Sequence, residues 1–381
     1  MLKKIRIALF AEEKTLNNPK LNSTVSVVRI TDNIIEFFKS NTRSQVRIKV
    51  SNDAIFNIVN SLDGKQNIDD IAKNFSVEKS ELYNLINWLL RKGLLDTSEP
   101  HSDFDNYNQF RRVIHFIEEY ASSHIELMEM WNNIQTGKVL IVGLGAVGTW
   151  VACNLVQSGI KEIFLQDGDV VEETNLHRQF GYTEKDIGNY KVDVLEKRLK
   201  KYNSDILVHK SYDFIADGSL RNHYDKVKLD LIINCADKPN VDKTSLWIGE
   251  FAMQKRIPHI IGGGYNLHHS LIGQTVIPGK SACVKCFQKT LQEENKIDVQ
   301  KVKKLLVKNR KIGSFGPMCS IIASLIGMEA IKILTKKIAP SNINKRGEFD
   351  ILHMNISYKY YEKRDDCEWC GKNGIYVKST N

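Results

Sequence analysis

The sequence predicts an α/β chain: a domain on an open parallel sheet with a glycine-loop nucleotide site, preceded by a small α+β domain. Three observations predict it. The apolar run 139–142 enters a loop with Gly143, Gly145 and Gly148, and a helical pattern (Trp150, Val151, Leu155, Val156) follows. A second apolar run, 163–165, ends at Asp167, an acid just past the second strand. Ahead of these, residues 25–92 read as three short strands and then three helices.

The totals fit this division. At 381 residues, with 42% hydrophobic and 26% charged, the chain has the length and composition of a two- or three-domain globular protein. No apolar run reaches the roughly 20 residues of a membrane span, and the N-terminus lacks a signal-peptide core, so a cytoplasmic protein without a membrane partner is expected. The net charge of +9 calls for an anionic partner. Nucleotide phosphate satisfies it. Nucleic acid is not expected as a partner, because the lysines are scattered rather than interleaved with aromatics in one block.

In order along the chain, residues 5–10 read as a strand and 14–23 as a loop. Strands are expected at 25–30, 34–38 and 46–50, and helices at 54–62, 68–75 and 78–92. The last two helices read as helix-turn-helix. Glu78, Glu81 and Asn84 beside Lys79 make a poor face for phosphate, so a winged-helix fold used for protein or peptide contact is favoured over DNA binding. Residues 98–107 have linker composition, and 108–135 form a mostly amphipathic helical segment. The domain boundary is placed at 100, giving domains 1–100 and 101–381.

Residues 22–98 resemble the PqqD-type recognition domain: three strands, then Leu62-Asp-Gly-Lys-x-x-x-Asp69-x-Ile71-Ala72 and a long helix ending Gly93-Leu94-Leu95. The resemblance implies that a leader segment of a precursor peptide adds as a strand to the sheet edge. A generic winged helix used for dimerisation is the other reading.

Downstream of Gly143 the motifs are Asp167-x-Asp169, Asn175-Leu-x-Arg178-Gln179, Gly188-x-x-Lys191 and Cys235-x-Asp237, the last closing a strand read from 231 to 237. Residues 105–371 thereby resemble the ubiquitin-activating-like (ThiF/MoeB) superfamily, with its Rossmann-like fold. The resemblance implies ATP-dependent adenylation of a carboxylate. Gly143, Gly145 and Gly148 would cradle ATP, Asp167 would hold the ribose and Asp169 would help order the metal–phosphate region. Asn175, Arg178 and Lys191 would contact the triphosphate and Asp237 would ligate Mg²⁺; catalysis would rest on Arg178, Lys191 and Asp237. Cations suit this chemistry, since a carboxylate attacking a phosphate brings two negative groups together. Arg111 resembles the arginine that family homodimers insert into the neighbouring ATP site, with Arg112 as its rival.

Cys283-x-x-Cys286 and Cys367-x-x-Cys370 have the spacing of a closed, structural four-thiolate Zn²⁺ site, with redox use as the alternative. Cys153, Cys235 and Cys319 read as buried small hydrophobes. Residues 292–310 are Lys-rich. Members of the superfamily that pass the acyl group to a catalytic cysteine place it around here, and this segment contains none, so the resemblance argues against a thioester route. Gly262-Gly-Gly-Tyr265-Asn266 is a candidate wall of a peptide channel, or simply a turn.

A leader-binding domain ahead of an adenylating domain resembles the microcin-C-type peptide-adenylating enzymes. The function expected from this is activation of a precursor peptide's C-terminal carboxyl (or terminal amide). Three alternatives stay open: pantocin-type activation of a glutamate side chain leading to cyclisation, a catalytically silent leader-docking scaffold, and adenylation of a sulfur carrier. Whether the nucleotide stays on the product is likewise open.

Overall fold

The computed structural model describes residues 17–40, 42–50, 54–96, 109–121, 124–262, 265–266, 269–296 and 313–377. They form two compact units, residues 1–108 with 121–126 and residues 109–120 with 127–381. The strand expected at 5–10, the linker at 98–107 and most of the Lys-rich segment at 292–310 lie outside the described residues.

In the first unit β1 (Val25–Thr31), β2 (Ile34–Lys39) and β3 (Ser44–Lys49) form an antiparallel meander in that order. Ile35 and Phe37, two apart on β2, both point into the core, as the period of a strand demands. The third strand starts two residues before 46 because Ser44 pairs with Lys39. Helices α1 (Ala54–Asn60), α2 (Ile68–Phe75) and α3 (Lys79–Arg91) follow. Asn67 caps α2 by accepting from the Asp70 N–H, and Ser76 closes it in the left-handed conformation, so the next helix can start at once. Ile58, Val59, Ile71, Leu82 and Leu89 pack with Phe37 in one core. Within the stretch read as a loop, Lys20 and Leu21 bridge to Asp63 and Leu95.

The helical segment expected at 108–135 is two helices, α4 (Arg111–Glu118) and α5 (His124–Thr136). The first ends with the Tyr120 amide bonding back three residues to Ile117, which tightens the turn and stops the helix.

The second unit then runs β4 (Lys138–Val142), α6 (Ala146–Gln157), β5 (Glu162–Gln166), α7 (Lys191–Tyr202), β6 (Leu207–Ser211), α8 (Ser219–Tyr224), β7 (Leu231–Asn234) and α9 (Val241–Lys255). After these come β8 (His259–Ile260), β9 (Tyr265–Asn266), β10 (His269–Ile272), β11 (Thr275–Val276), α10 (Val284–Glu294), α11 (Gly316–Thr335), β12 (Lys345–Asp350) and β13 (Asn355–Tyr360). The main sheet has the order β11-β8-β7-β4-β5-β6, parallel except for β11. Val139, Leu140, Ile141 and Val142 are all buried, because helices cover both faces of such a sheet. The chain leaves β4 toward β5 on one side and returns to β7 on the other. That reversal opens a crevice at the carboxyl ends of the strands. A second, antiparallel sheet has the order β13-β12-β10-β9.

Helix α11 is 20 residues long with a mean hydropathy of 1.7 over its apolar window, long and apolar enough to cross a membrane by those criteria alone. Glu329 and Lys332 lie within it, so it holds no uninterrupted apolar run of membrane-span length. Of that window 61% is buried inside the unit, where α11 packs against α6 with Gly327 facing Asn154. Glu329 is buried too, accepting from the Ser341 and Asn342 amides at 2.6 Å each.

Candidate functional site

The glycine loop is built from two glycines that packing requires and one that it does not. Gly143 has φ +91°, and a Cβ there would lie 2.6 Å from the Ala236 nitrogen. A Cβ at Gly148 would lie 2.0 Å from the Gly143 oxygen, so helix and loop touch only through glycine. A Cβ at Gly145 would meet nothing nearer than Gln179 Nε2 at 4.0 Å. Its bareness keeps open the space in front of α6. That helix starts without a side-chain cap, leaving its first amides for an anion. The loop itself is fixed: the Gly143 amide donates to the Gln166 carbonyl (2.8 Å), Leu144 N to Asp167 Oδ2 (2.6 Å), and the Tyr182 hydroxyl to the Leu144 carbonyl (2.8 Å).

In front of this loop lies a cavity of about 610 Å³. Gly143, Gly145, Asp167, Asp169, Asn175, Arg178, Lys191 and Asp237 all line it. Its charges are arranged unevenly. Asp167 accepts from two backbone amides, Leu144 N and Asp169 N (2.8 Å), so it shapes the loop as well as facing the cavity. Burial pushes its carboxyl above the usual range, against the pull of Lys191 and of those amides. Asp169 is the opposite case. Burial works against its ionisation, but the ammonium groups of Lys238 and Lys191 outweigh it and hold the carboxyl below its ordinary value. Lys191, the first residue of α7, is buried, with its Nζ 3.0 Å from Asp169 Oδ2. Asn175 Oδ1 accepts from the Glu172 amide and caps a short 3₁₀ turn, 173–175. Arg178 donates to the Thr174 carbonyl (2.7 Å), and its buried Nε has no partner. Asp237 is exposed and takes no hydrogen bond from the described residues. Strand β7 ends at Asn234, three residues earlier than the sequence reading placed it, so Asp237 sits on a loop.

Residues 122–369 match the model of the ThiF family. The chain belongs to that family. It is similar to the adenylyltransferase and sulfurtransferase UBA4 of Debaryomyces hansenii, 26% identical over 259 residues, 65% of this chain and 52% of that protein. The chain thus spans about half the length of that relative. Molybdopterin-synthase adenylyltransferase of Escherichia coli is 26% identical over 239 residues, 63% of this chain and 89% of the other. Among solved structures, E. coli MccB with ATP superposes with a TM-score of 0.72 at 22% identity, covering 93% of this chain and 99% of that one. MccB, described as a microcin C7 biosynthetic enzyme, has also been solved with N-formylated MccA.

The ThiF cavity contains residues that sequence reasoning missed. Lys238 reaches both oxygens of Asp169, at 2.9 and 3.2 Å, and lies over the Phe214 ring, 5.4 Å from its centroid. Phe214 packs on Gly168, where a Cβ would lie 2.8 Å from the ring. Gln166 and Gln179 line the cavity with buried amide atoms that have no partner. The signal for Lys238 was its place beside Asp237; Gln179 stood in the Asn175-Leu-x-Arg178-Gln179 motif without an assigned role, and for Gln166 there was no signal.

Gly262 lines the cavity, and a Cβ there would fall 1.6 Å from the Asn234 carbonyl oxygen, so close packing against the end of β7 by itself requires that glycine. Other expectations land elsewhere. Arg111 and Arg112 open α4, are exposed, and do not line the cavity of their own chain. Cys319 is buried at the start of α11, and burial pushes its thiol pKa up, which suits a core residue rather than a nucleophile.

The four cysteines of the two pairs come together. The Sγ atoms of Cys283, Cys286, Cys367 and Cys370 lie within 4.8 Å of one another. Neighbouring sulfurs are 3.3, 3.6 and 4.0 Å apart. Four thiolates on a tetrahedral metal at about 2.3 Å would be about 3.8 Å apart. The donor set fits a tetrahedral zinc ion, and all four cysteines are buried.

Proposed function

We propose that this ThiF-family chain is an ATP- and Mg²⁺-dependent adenylating enzyme that activates a carboxyl group of a ribosomally made precursor peptide. The observation that carries this reading is the division of labour in the cavity. An open glycine cradle, a buried lysine and an arginine with a free donor share the cavity with one carboxylate, Asp237, that takes no partner among the described residues. A triphosphate needs donors and cations; a divalent metal needs an uncommitted hard oxygen. Arg178 and Lys191 would stabilise charge on the phosphates and Asp237 would hold Mg²⁺, which supplies charge neutralisation there. Asp167 would take the ribose with the lone pairs that the loop amides leave free. The names of the relatives, adenylyltransferases, support the reaction class.

The peptide side of the reading rests on the first unit. Its three-stranded meander over α1–α3 agrees in element order with a PqqD-like leader-binding domain, and β1 and β3 are sheet edges to which an extended segment can add. The likeness to MccB, solved with MccA, supports the same choice. Activation is assigned to the peptide's C-terminus, with a glutamate side chain as the pantocin-type variant. The four-cysteine cluster would hold a structural Zn²⁺ that fastens the 367–370 turn to α10. In a homodimer, Arg111 would enter the partner's ATP site.

Sulfur-carrier adenylation is the second reading, favoured by the names of two relatives. The two separate on substrate. Purified full-length protein with ATP, Mg²⁺ and the short peptide encoded beside its gene is expected to release pyrophosphate or ADP. Turnover only with a small Gly-Gly-ended carrier protein would favour the second reading. ATP binding without turnover on either would sink both, and no binding at all would favour a silent leader-docking scaffold.

A further inference from the structure

Lys238 crosses the crevice. It follows β7, and its partner Asp169 follows β5, with β4 and its glycine loop between them in the sheet order. Two inter-strand spacings, about 10 Å, separate the strands that carry the pair. The link therefore passes in front of the place where an anion on the Gly143–Gly148 loop must lie.

The pair is also unequal. Asp169 is held by two ammonium groups, and of these Lys191 is fixed, with a side chain only 6% exposed. The Lys238 side chain is 64% exposed and rests on the Phe214 ring. If Lys238 leaves, Asp169 keeps Lys191 and no buried carboxylate is orphaned. If Lys191 left, a buried ammonium would lose its partner. Only Lys238 can leave without stranding a charge.

We propose that Lys238 is a phosphate-binding residue of the nucleotide site, parked on Asp169 until a polyphosphate occupies the crevice and then transferred to it. This rests on the reading of the cavity as a nucleotide site. The exchange replaces one carboxylate contact by one phosphate contact on the same ammonium, at the mouth of the cavity beside Asp237. It gives Asp169 the role of a positioning residue for two cations.

The test is calorimetric titration of the full-length chain with a non-hydrolysable ATP analogue and, separately, with adenosine. Lys238→Gln is expected to weaken the analogue by about 10-fold or more, the size of one charge-assisted hydrogen bond, and to leave adenosine unchanged. Lys238→Arg should stay within about threefold of the parent. Lys243→Gln, an exposed lysine of α9 outside the cavity lining, controls for general loss of positive charge and should change neither ligand. The proposal is overturned if Lys238→Gln binds the analogue like the parent, loses adenosine equally, or is matched by Lys243→Gln. Failure of the parent to bind any nucleotide overturns it together with the functional reading. A parent that binds ATP but adenylates nothing overturns only the latter.

Discussion

Gly145 and Gly148 look equivalent in the sequence and are opposites in the structure, which makes them a controlled pair. At Gly148 an alanine methyl would start 2.0 Å from the Gly143 carbonyl oxygen, so α6 or the loop must move. Overpacking of this kind costs about 1–3 kcal/mol, or roughly 2–10 °C in Tm for a domain of this size. At Gly145 the nearest atom is 4.0 Å away, and the backbone, at φ −78° and ψ −153°, lies at the edge of the extended region rather than at a positive φ, so alanine meets little strain. The remaining cost is that of a poorer N-cap, about 0.5–1 kcal/mol. Nucleotide affinity should invert that order of severity. A methyl at 145 projects into the cradle and separates an anion from the α6 amides; losing one charge-assisted hydrogen bond there weakens binding by about 10- to 100-fold. Thermal unfolding and calorimetric ATP titration on Gly145→Ala and Gly148→Ala check both. A Gly145→Ala protein that melts near the parent and binds ATP within twofold of it would refute the assignment of this loop as a phosphate cradle.

The remaining predictions concern other parts of the molecule. Asp237→Ala should leave Tm within the equivalent of about 0.5 kcal/mol, because the exposed Asp237 bonds none of the described residues, yet abolish the Mg²⁺ dependence of nucleotide binding; a retained Mg²⁺ dependence refutes its role as ligand. Metal analysis should find one zinc per chain, and Cys370→Ser should lose it and lower Tm by on the order of 10 °C; a metal-free parent with unchanged Tm refutes the zinc site. His259 is buried and neutral, its pKa held down to about 4 by burial. Unfolded, it takes up a proton below about pH 6.5, so folding stability from this group falls as pH drops from about 6.5 and levels off below about 4. Between pH 7.5 and 5 the parent should lose about 2 kcal/mol more than His259→Gln in urea unfolding; equal losses refute the buried neutral imidazole.

What could be read in the sequence was local. The turn at Gly143, the acid after β5 and the start of α7 at Lys191 are each fixed by residues within a few positions, and they stand where the pattern placed them. The cysteine cluster spans residues 84 apart, but a ligand spacing of two residues within each pair announced it. Contacts without such a mark stayed hidden. Lys238 and Asp169 are 69 positions apart, and nothing near either residue signals the other. A glycine run reads the same whether ligand or backbone approaches it, and Gly262 meets both conditions, lining the cavity while packing on the Asn234 carbonyl. The break between α4 and α5 was missed because the apolar periodicity resumes on its far side.

The ownership of the carboxylates decides how the cavity can divide its work. A dication placed on Asp169 would lie beside two ammonium groups already at 2.9–3.2 Å from its oxygens. It would have to displace at least one of them against like-charge repulsion. Asp167 offers both oxygens to backbone amides, and taking a metal there would disturb the loop that shapes the cradle. Asp237 alone of the three carries no such commitment. A metal held by Asp237, as proposed, would avoid both conflicts, and Asp169 would then act on the phosphate region through Lys191 and Lys238. With Lys191 on the Asp169 side and Asp237 with Lys238 on the β7 side, a polyphosphate between them would be met from both sides. That division has a use for three linked phosphates and none for a nicotinamide ring.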